Sequence, residues 1–247
     1  MVKKMQQILV HSLREHSRLS KEDIAEISVL KHEVQEFEPD VDFIHQGDRP
    51  KASTLVLAGM VGRYHLLPDG RRQYLAFHMA GDMPDAQALF IEEMDHGLCT
   101  IGPATVAFLP HKALLNAFNR QPLFGLAIWR ETLLDAAIFR EAITNNGART
   151  MIARMAHLFC ELFYRAHAAR LSKGDELDLP ISRIQLGEAL GMASATIHRT
   201  LGQLRKSKAM DFGDGKLTVR NWKRLTELGE FNPRYLHVKS RAALGVL

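Results

Sequence analysis

Glycines at positions 47, 59, 70 and 81 recur at intervals of 12, 11 and 11 residues. Around them, from Val34 to Pro110, run the short stretches "EVQEFEPD", "VDFIHQGD", "STLVLAG", "MVGRYHLLPDG", "RRQYLAFHMAGD" and "CTIGPATVAFLP". Turns this closely set leave room for strands and not for helices, the rhythm of an all-β sandwich or barrel. Asp69-Gly70, between two strand-like runs, is a hairpin signal in its own right because a tight turn needs residues that tolerate positive φ. Short helices are expected on either side, at Lys21–Leu30 and Lys112–Phe118.

After Gln121 the period changes. In "PLFGLAIWRETLLDAAIFREAIT" the apolar residues Leu126, Trp129, Leu133, Ala136 and Ile143 fall 3, 4, 3 and 7 apart, with Arg140 filling the gap. This is a helical stripe. It reads either as a coiled-coil seam with one polar interruption, which would join two copies of the chain, or as the inward face of an ordinary amphipathic helix. The seam is the expectation. "TNNG" at 144–147 is expected to stop this helix, with Gly147 as a left-handed cap, before a second helix from about Ala148 to Ala168.

Past the loop "LSKGDELDLP" the chain reads "SRIQLGEALGMASATIHRTLGQLRK" and then "AMDFGDGKLTV". The first stretch is two helices about a turn, with Ile184, Leu186 and Leu190 inward on the first and Ile197, Leu201 and Leu204 inward on the second. Helices crossing steeply over a short turn need little bulk at their contact and a residue that accepts positive φ in the turn. Gly187 and Gly191 meet those needs. The last stretch reads as two short strands about a Gly-Asp-Gly turn, a wing. A helical hairpin with no partner would not need to present Ser194, Thr196, His198 and Arg199, followed by Arg205, Lys206 and Lys208, so the second helix is expected to enter a DNA groove.

Charge supports this division. Residues 181–247 hold twelve Lys and Arg against five Asp and Glu, whereas residues 1–180 hold twenty against twenty-three. A basic module that meets a polyanion is thus attached to a mildly acidic one. The motifs of nucleophile elbows, zinc hydrolases, P-loops and dinucleotide-binding folds do not occur, so no catalytic function is expected. Cys99 and Cys160 are the two cysteines and make no C-x-x-C pair. No leader peptide or membrane span is read, and the cytoplasm is the expected location.

"FIHQGD", "LVLAGMVGRYHLLPDGRR", the "AGD" at 80–82, the long helix and "SRIQLGEALGMASATIHRTLGQLRK" together resemble the Crp/Fnr superfamily of bacterial transcription regulators, over roughly Glu22 to Val219. The resemblance implies an α+β chain: an N-terminal double-stranded β-helix (a β-roll of the cyclic-nucleotide-binding type) in residues 1–120, a dimerisation helix in 121–147 and a winged helix-turn-helix in 148–247. It implies a homodimer on double-stranded DNA and contact with RNA polymerase. The family's last recognition-helix arginine falls on Arg199, able to fork onto guanine O6 and N7. Ala195 stands where relatives have a glutamate, Ser194 where the cyclic-AMP branch has its first arginine, and His198 where the fumarate-nitrate branch has serine. Ser182, Ser194, Thr196, Arg183, Arg205, Lys206 and Lys216 are assigned to phosphates.

The signal is less plain. Relatives that bind a cyclic nucleotide carry Gly-Glu and then Arg-Ser or Arg-Ala in the segment that here reads "GDMPDAQALFIEEMDHGLCTIGP", where Pro84-Asp85 replaces Gly-Glu. From Gln73 through His111 there is no Arg or Lys. A buried phosphate would lack a cation, so neither cyclic AMP nor cyclic GMP is expected to bind. Two cysteines cannot supply an iron-sulfur cluster's four thiolates. His78 and His96 are lone histidines rather than haem ligands, and Cys99, among Leu98, Thr100 and Ile101, is expected to be a buried structural thiol. Should a small ligand bind, the family position falls near Phe77, Asp85, Gln87, His96, Trp129 and Arg130. The alternative reading is a cyclic-nucleotide- or other small-ligand-binding interaction protein with a degenerate DNA-binding domain.

Overall fold

The computed structural model describes residues 2–239. They form two compact units, residues 2–72 with 76–136, and residues 73–75 with 137–239.

The first unit opens with α1 (Val2–His16) and α2 (Lys21–Ser28). Helix α1 was not anticipated, although Met5, Leu9 and Leu13, one turn apart, are all but fully buried. Ser20 caps α2 in a capping box with Asp23. Seven strands follow: β1 (Glu33–Phe37), β2 (Asp42–Ile44), β3 (Ala52–Ala58), β4 (Met60–Leu66), β5 (Arg72–Met79), β6 (Gly97–Thr100) and β7 (Ala104–Pro110). They build two sheets, ordered β1-β7-β3 and β2-β6-β4-β5, which make up the roll. The spaced glycines 47, 59, 70 and 81 all take positive φ in its turns. Gly70 sits in the β4–β5 hairpin, closed by Leu67 N–H to Arg71 O at 2.8 Å. Val56, Val61, Leu98 and Val106 pack between the sheets. α3 (His111–Arg120) and the start of α4 (Pro122–Ala148) close a second core with α1, through Leu114, Phe124 and Ile128.

Helix α4 runs beyond its expected stop. Gly147 is not left-handed, and the helix continues to Ala148. The asparagine side chains, instead of breaking the backbone, donate to distant carbonyls: Asn145 to Arg154 O at 3.2 Å and Asn146 to Ala189 O at 3.2 Å. The break comes at Thr150, whose hydroxyl caps α5 (Met151–Ala168).

The second unit holds α5, β8 (Glu176–Asp178), α6 (Arg183–Leu190), α7 (Ser194–Lys206), β9 (Met210–Gly213), β10 (Lys216–Val219) and α8 (Trp222–Gly229). The wing has three strands, ordered β8-β10-β9, one more than expected. Tyr164, Trp222, Phe231, Tyr235 and Leu236 form a cluster between α5 and the C-terminal segment.

Candidate nucleic-acid interface

Helix α6 begins at a capping box in which the Ser182 hydroxyl accepts from Gln185 N–H and the Gln185 side chain accepts from Ser182 N–H at 2.8 Å. Its expected inward set needs one correction. Leu186 and Leu190 are buried, but Ile184 is 72% exposed. Residues two apart lie about 200° around a helix, so Ile184 and Leu186 cannot both face the core. Gln185, held by the cap, is buried in its place. The turn is built as expected. Gly191 is left-handed, at φ 63°, and a Cβ on Gly187 would stand 2.7 Å from Met192 O. That contact lets α7 cross α6 at the turn.

Ile197, Thr200 and Leu204 anchor α7, while Leu201, expected fully inward, is half-buried. Ser194, Ala195, His198 and Arg199 are exposed, and Thr196 is half-buried. No hydrogen bond or ion pair within the described residues engages the side chain of Arg199 or Lys206. Arg205 is different: it pairs with Asp211 at 3.1 Å, a carboxylate that also holds Arg220 at 2.8 Å. Lys216 pairs with Glu176 at 3.0 Å. Arg183 Nη1 donates to His198 Nε2 at 2.7 Å, joining two residues that sequence reasoning had treated separately.

On α4, Leu126, Trp129, Leu133 and Ile143 are between 46% and 73% exposed, Arg140 is exposed and Ala136 half-buried. The opposite face, Phe124, Ala127 and Ile128, is buried. The stripe is therefore not the helix's packing face within its own chain.

Inside the roll, Asp85 is fully buried. It accepts hydrogen bonds from Thr54 N–H at 2.6 Å and from the Thr54 hydroxyl at 2.8 Å, yet burial pushes its pKa up to about 6. His96 is buried between Gln87, 3.3 Å away, and Asp95, 2.5 Å away. Loss of solvent, followed by the nearby Arg63 charge, lowers its pKa. Phe77 is core. Trp129 lies on the exposed stripe, and Arg130 donates to His16 O at 2.9 Å and to the Ser17 hydroxyl at 3.2 Å. An open cleft of about 860 Å³ lies elsewhere on the roll, lined by residues including His45, Tyr64, Leu67, Glu93 and Asp95 and by none of the six residues expected to hold a ligand. Cys99 and Cys160 are buried free thiols. Among the described residues, no group of three or more His, Cys, Asp or Glu side chains is arranged to hold a metal.

Arg63 was missed. The segment from Gln73 to His111 contains no cation, but β4 supplies one from outside it. Arg63 is 1% exposed, donates from Nη1 to Asp135 Oδ2 at 2.6 Å, and donates from Nη2 to Pro84 O. A charged residue inside the strand-like run "MVGRYHL", whose first five residues are buried, was the available signal. The Arg63 guanidinium is engaged by a carboxylate, and the neighbouring Asp85 is a buried carboxyl, whose charge would repel a phosphate placed beside it.

A β-roll, a long helix with an exposed apolar stripe and a winged helix-turn-helix define a DNA-binding regulator with a sensor-type N-terminal domain. Residues 34–121 match the cyclic nucleotide-binding domain and residues 153–228 the Crp-like helix-turn-helix domain. The chain belongs to the Crp/Fnr family of transcription regulators. It is 24% identical over 186 residues to the fumarate and nitrate reduction regulatory protein of Vibrio cholerae, covering 74% of this chain and 72% of that one. It is 25% identical over 185 residues to the nitrogen fixation regulation protein FixK of Rhizobium meliloti, covering 74% and 80%. The structure of FixK2 from Bradyrhizobium japonicum superposes with a TM-score of 0.71 at 25% identity, over 81% of this chain and 98% of that one. No helix among the described residues is long and apolar enough to cross a membrane.

Proposed function

We propose that this regulator binds a near-palindromic operator as a homodimer, inserting α7 into the major groove at two half-sites about 10 base pairs apart. The stripe from Leu126 to Ile143 is the seam between the two copies. Arg199 carries the reading: it projects from the outward face of a helix whose other face is anchored, with no partner among the described residues to satisfy its fork. Ala195 has no acceptor for cytosine N4, so the operator differs from the relatives' at the base pair their glutamate reads; its methyl suits a thymine methyl.

The protein works in the cytoplasm, where its DNA and RNA polymerase are, and performs no catalysis. Neither cyclic AMP nor cyclic GMP is its signal. Support comes from the engaged Arg63 and the buried Asp85. Selection from random duplex DNA, with sedimentation of the complex, tests the reading. Enrichment of a dyad-symmetric sequence bound by two copies is expected. Failure to enrich any sequence would favour an interaction protein with a degenerate DNA-binding domain. Isothermal titration with both nucleotides is expected to give no heat of binding, and micromolar binding of either would refute that part.

A further inference from the structure

The inward face of α4 carries Phe124, Ile128 and Glu131 at spacings of 4 and 3, and four residues further on the same face stands Asp135. Past the apolar Phe124 and Ile128 this face turns to carboxylates, and that of Asp135 faces a guanidinium that is 1% exposed. Such a group is tolerated in a protein interior only when its charge is balanced and its donors are engaged. For Arg63 the charge is balanced and both terminal nitrogens are engaged, by groups from different parts of the unit: Asp135 on α4, and the Pro84 carbonyl in the segment after β5. The next residue, Asp85, fixes that segment to β3 through Thr54. A directional chain of bonds thus runs from β3 through the Pro84–Asp85 segment and β4 to the seam helix. Apolar packing can slide and rotate. A guanidinium forked between two acceptors cannot do so without breaking a bond. Leu133 and Ala136, both in the stripe, flank Asp135 in sequence, so the rotation of α4 that satisfies Arg63 also sets which way the stripe faces.

We propose that Arg63 and Asp135 are positioning residues that orient the seam helix on the roll from within the chain, so that dimerisation and operator binding require no small molecule between roll and helix. This rests on the reading of the stripe as the dimer seam and of the dimer as the DNA-binding form. Two full-length variants test it against wild type. R63M/D135L replaces the pair, buried at Arg63 and half-buried at Asp135, by apolar groups, an exchange that often preserves folding. D135N keeps an acceptor and removes the charge. Melting temperature, dimer dissociation constant by sedimentation, and affinity for the selected operator are measured for each.

R63M/D135L is expected to melt within a few degrees of wild type while its dimer dissociation constant rises about tenfold and operator affinity falls in step; D135N is expected to show a smaller loss of the same kind. A purely structural pair would move the melting temperature and leave dimerisation of the folded protein alone. Wild type unfolded, dialysed free of small molecules and refolded is expected to bind the operator as the native preparation does. If either folded variant dimerises and binds as wild type, or if refolded, folded wild type no longer binds, the proposal fails. Wild type that neither dimerises nor selects a palindrome would instead refute the reading on which the proposal rests.

Discussion

The Arg183 guanidinium donates to Nε2 of His198 across the helix-turn-helix at 2.7 Å. Arginine has no acceptor, so Nε2 must be the unprotonated nitrogen and the ring must carry its proton on Nδ1. The recognition helix therefore offers a defined donor there, set by a residue on the preceding helix. Arg183→Ala is expected to relax base preference at the same operator position as His198→Ala, and the double substitution to add little to either. Selection with the three variants checks this. Uniform weakening over all sequences in Arg183→Ala would return Arg183 to the role of a phosphate contact.

Arg199→Ala should cost about 1–3 kcal/mol and broaden preference at one base pair per half-site. Lys206→Ala should weaken binding to every sequence alike and flatten the salt dependence by about one unit of slope. Arg205→Ala should flatten it less, because Asp211 already balances that charge. Binding titrations at several salt concentrations separate the three, and equal slopes for Lys206→Ala and Arg205→Ala would count against the distinction.

Introducing Glu at Leu133 and Ala136 should give folded monomers with poor operator affinity, since like charges would face each other across the seam. Sedimentation that shows intact dimers would overturn the seam.

Asp85 makes a prediction about pH. An aspartate in the unfolded chain titrates near 3.9, whereas burial holds this one at about 6. Between those values the folded protein keeps a proton that the unfolded chain has lost, so stability falls as pH rises through the window and the penalty is complete above it. The shift corresponds to roughly 3 kcal/mol. Asp85→Asn can still accept from Thr54 N–H. Its advantage in melting temperature should be near zero at about pH 4, grow to about pH 6 and then level off. An advantage already complete at the acid end would refute this origin.

Local grammar made much of this fold legible. The spaced glycines, the Asp69-Gly70 hairpin and the Gly187/Gly191 pair each state a backbone need within a few residues of where it is met. What escaped was non-local. Arg63 and Asp135 are 72 residues apart, and no pattern near either names the other. The asparagines of "TNNG" looked like a stop until their side chains found carbonyls elsewhere. Arg183 and His198 were each given to DNA because their bond to one another depends on how the two helices cross. Ile184 was a plain misreading of helical geometry.

The chain has two tryptophans, and the fold gives them opposite surroundings. Trp222 lies in an aromatic cluster, 5.6 Å from the Phe163 ring and 6.0 Å from Phe231, while Trp129 stands 50% exposed on the stripe of α4. Their fluorescence therefore separates two events. Emission from Trp222 is expected to follow unfolding of the DNA-binding unit, and on the proposed seam Trp129 is expected to shift to the blue as rising protein concentration brings the chains together, with no label attached.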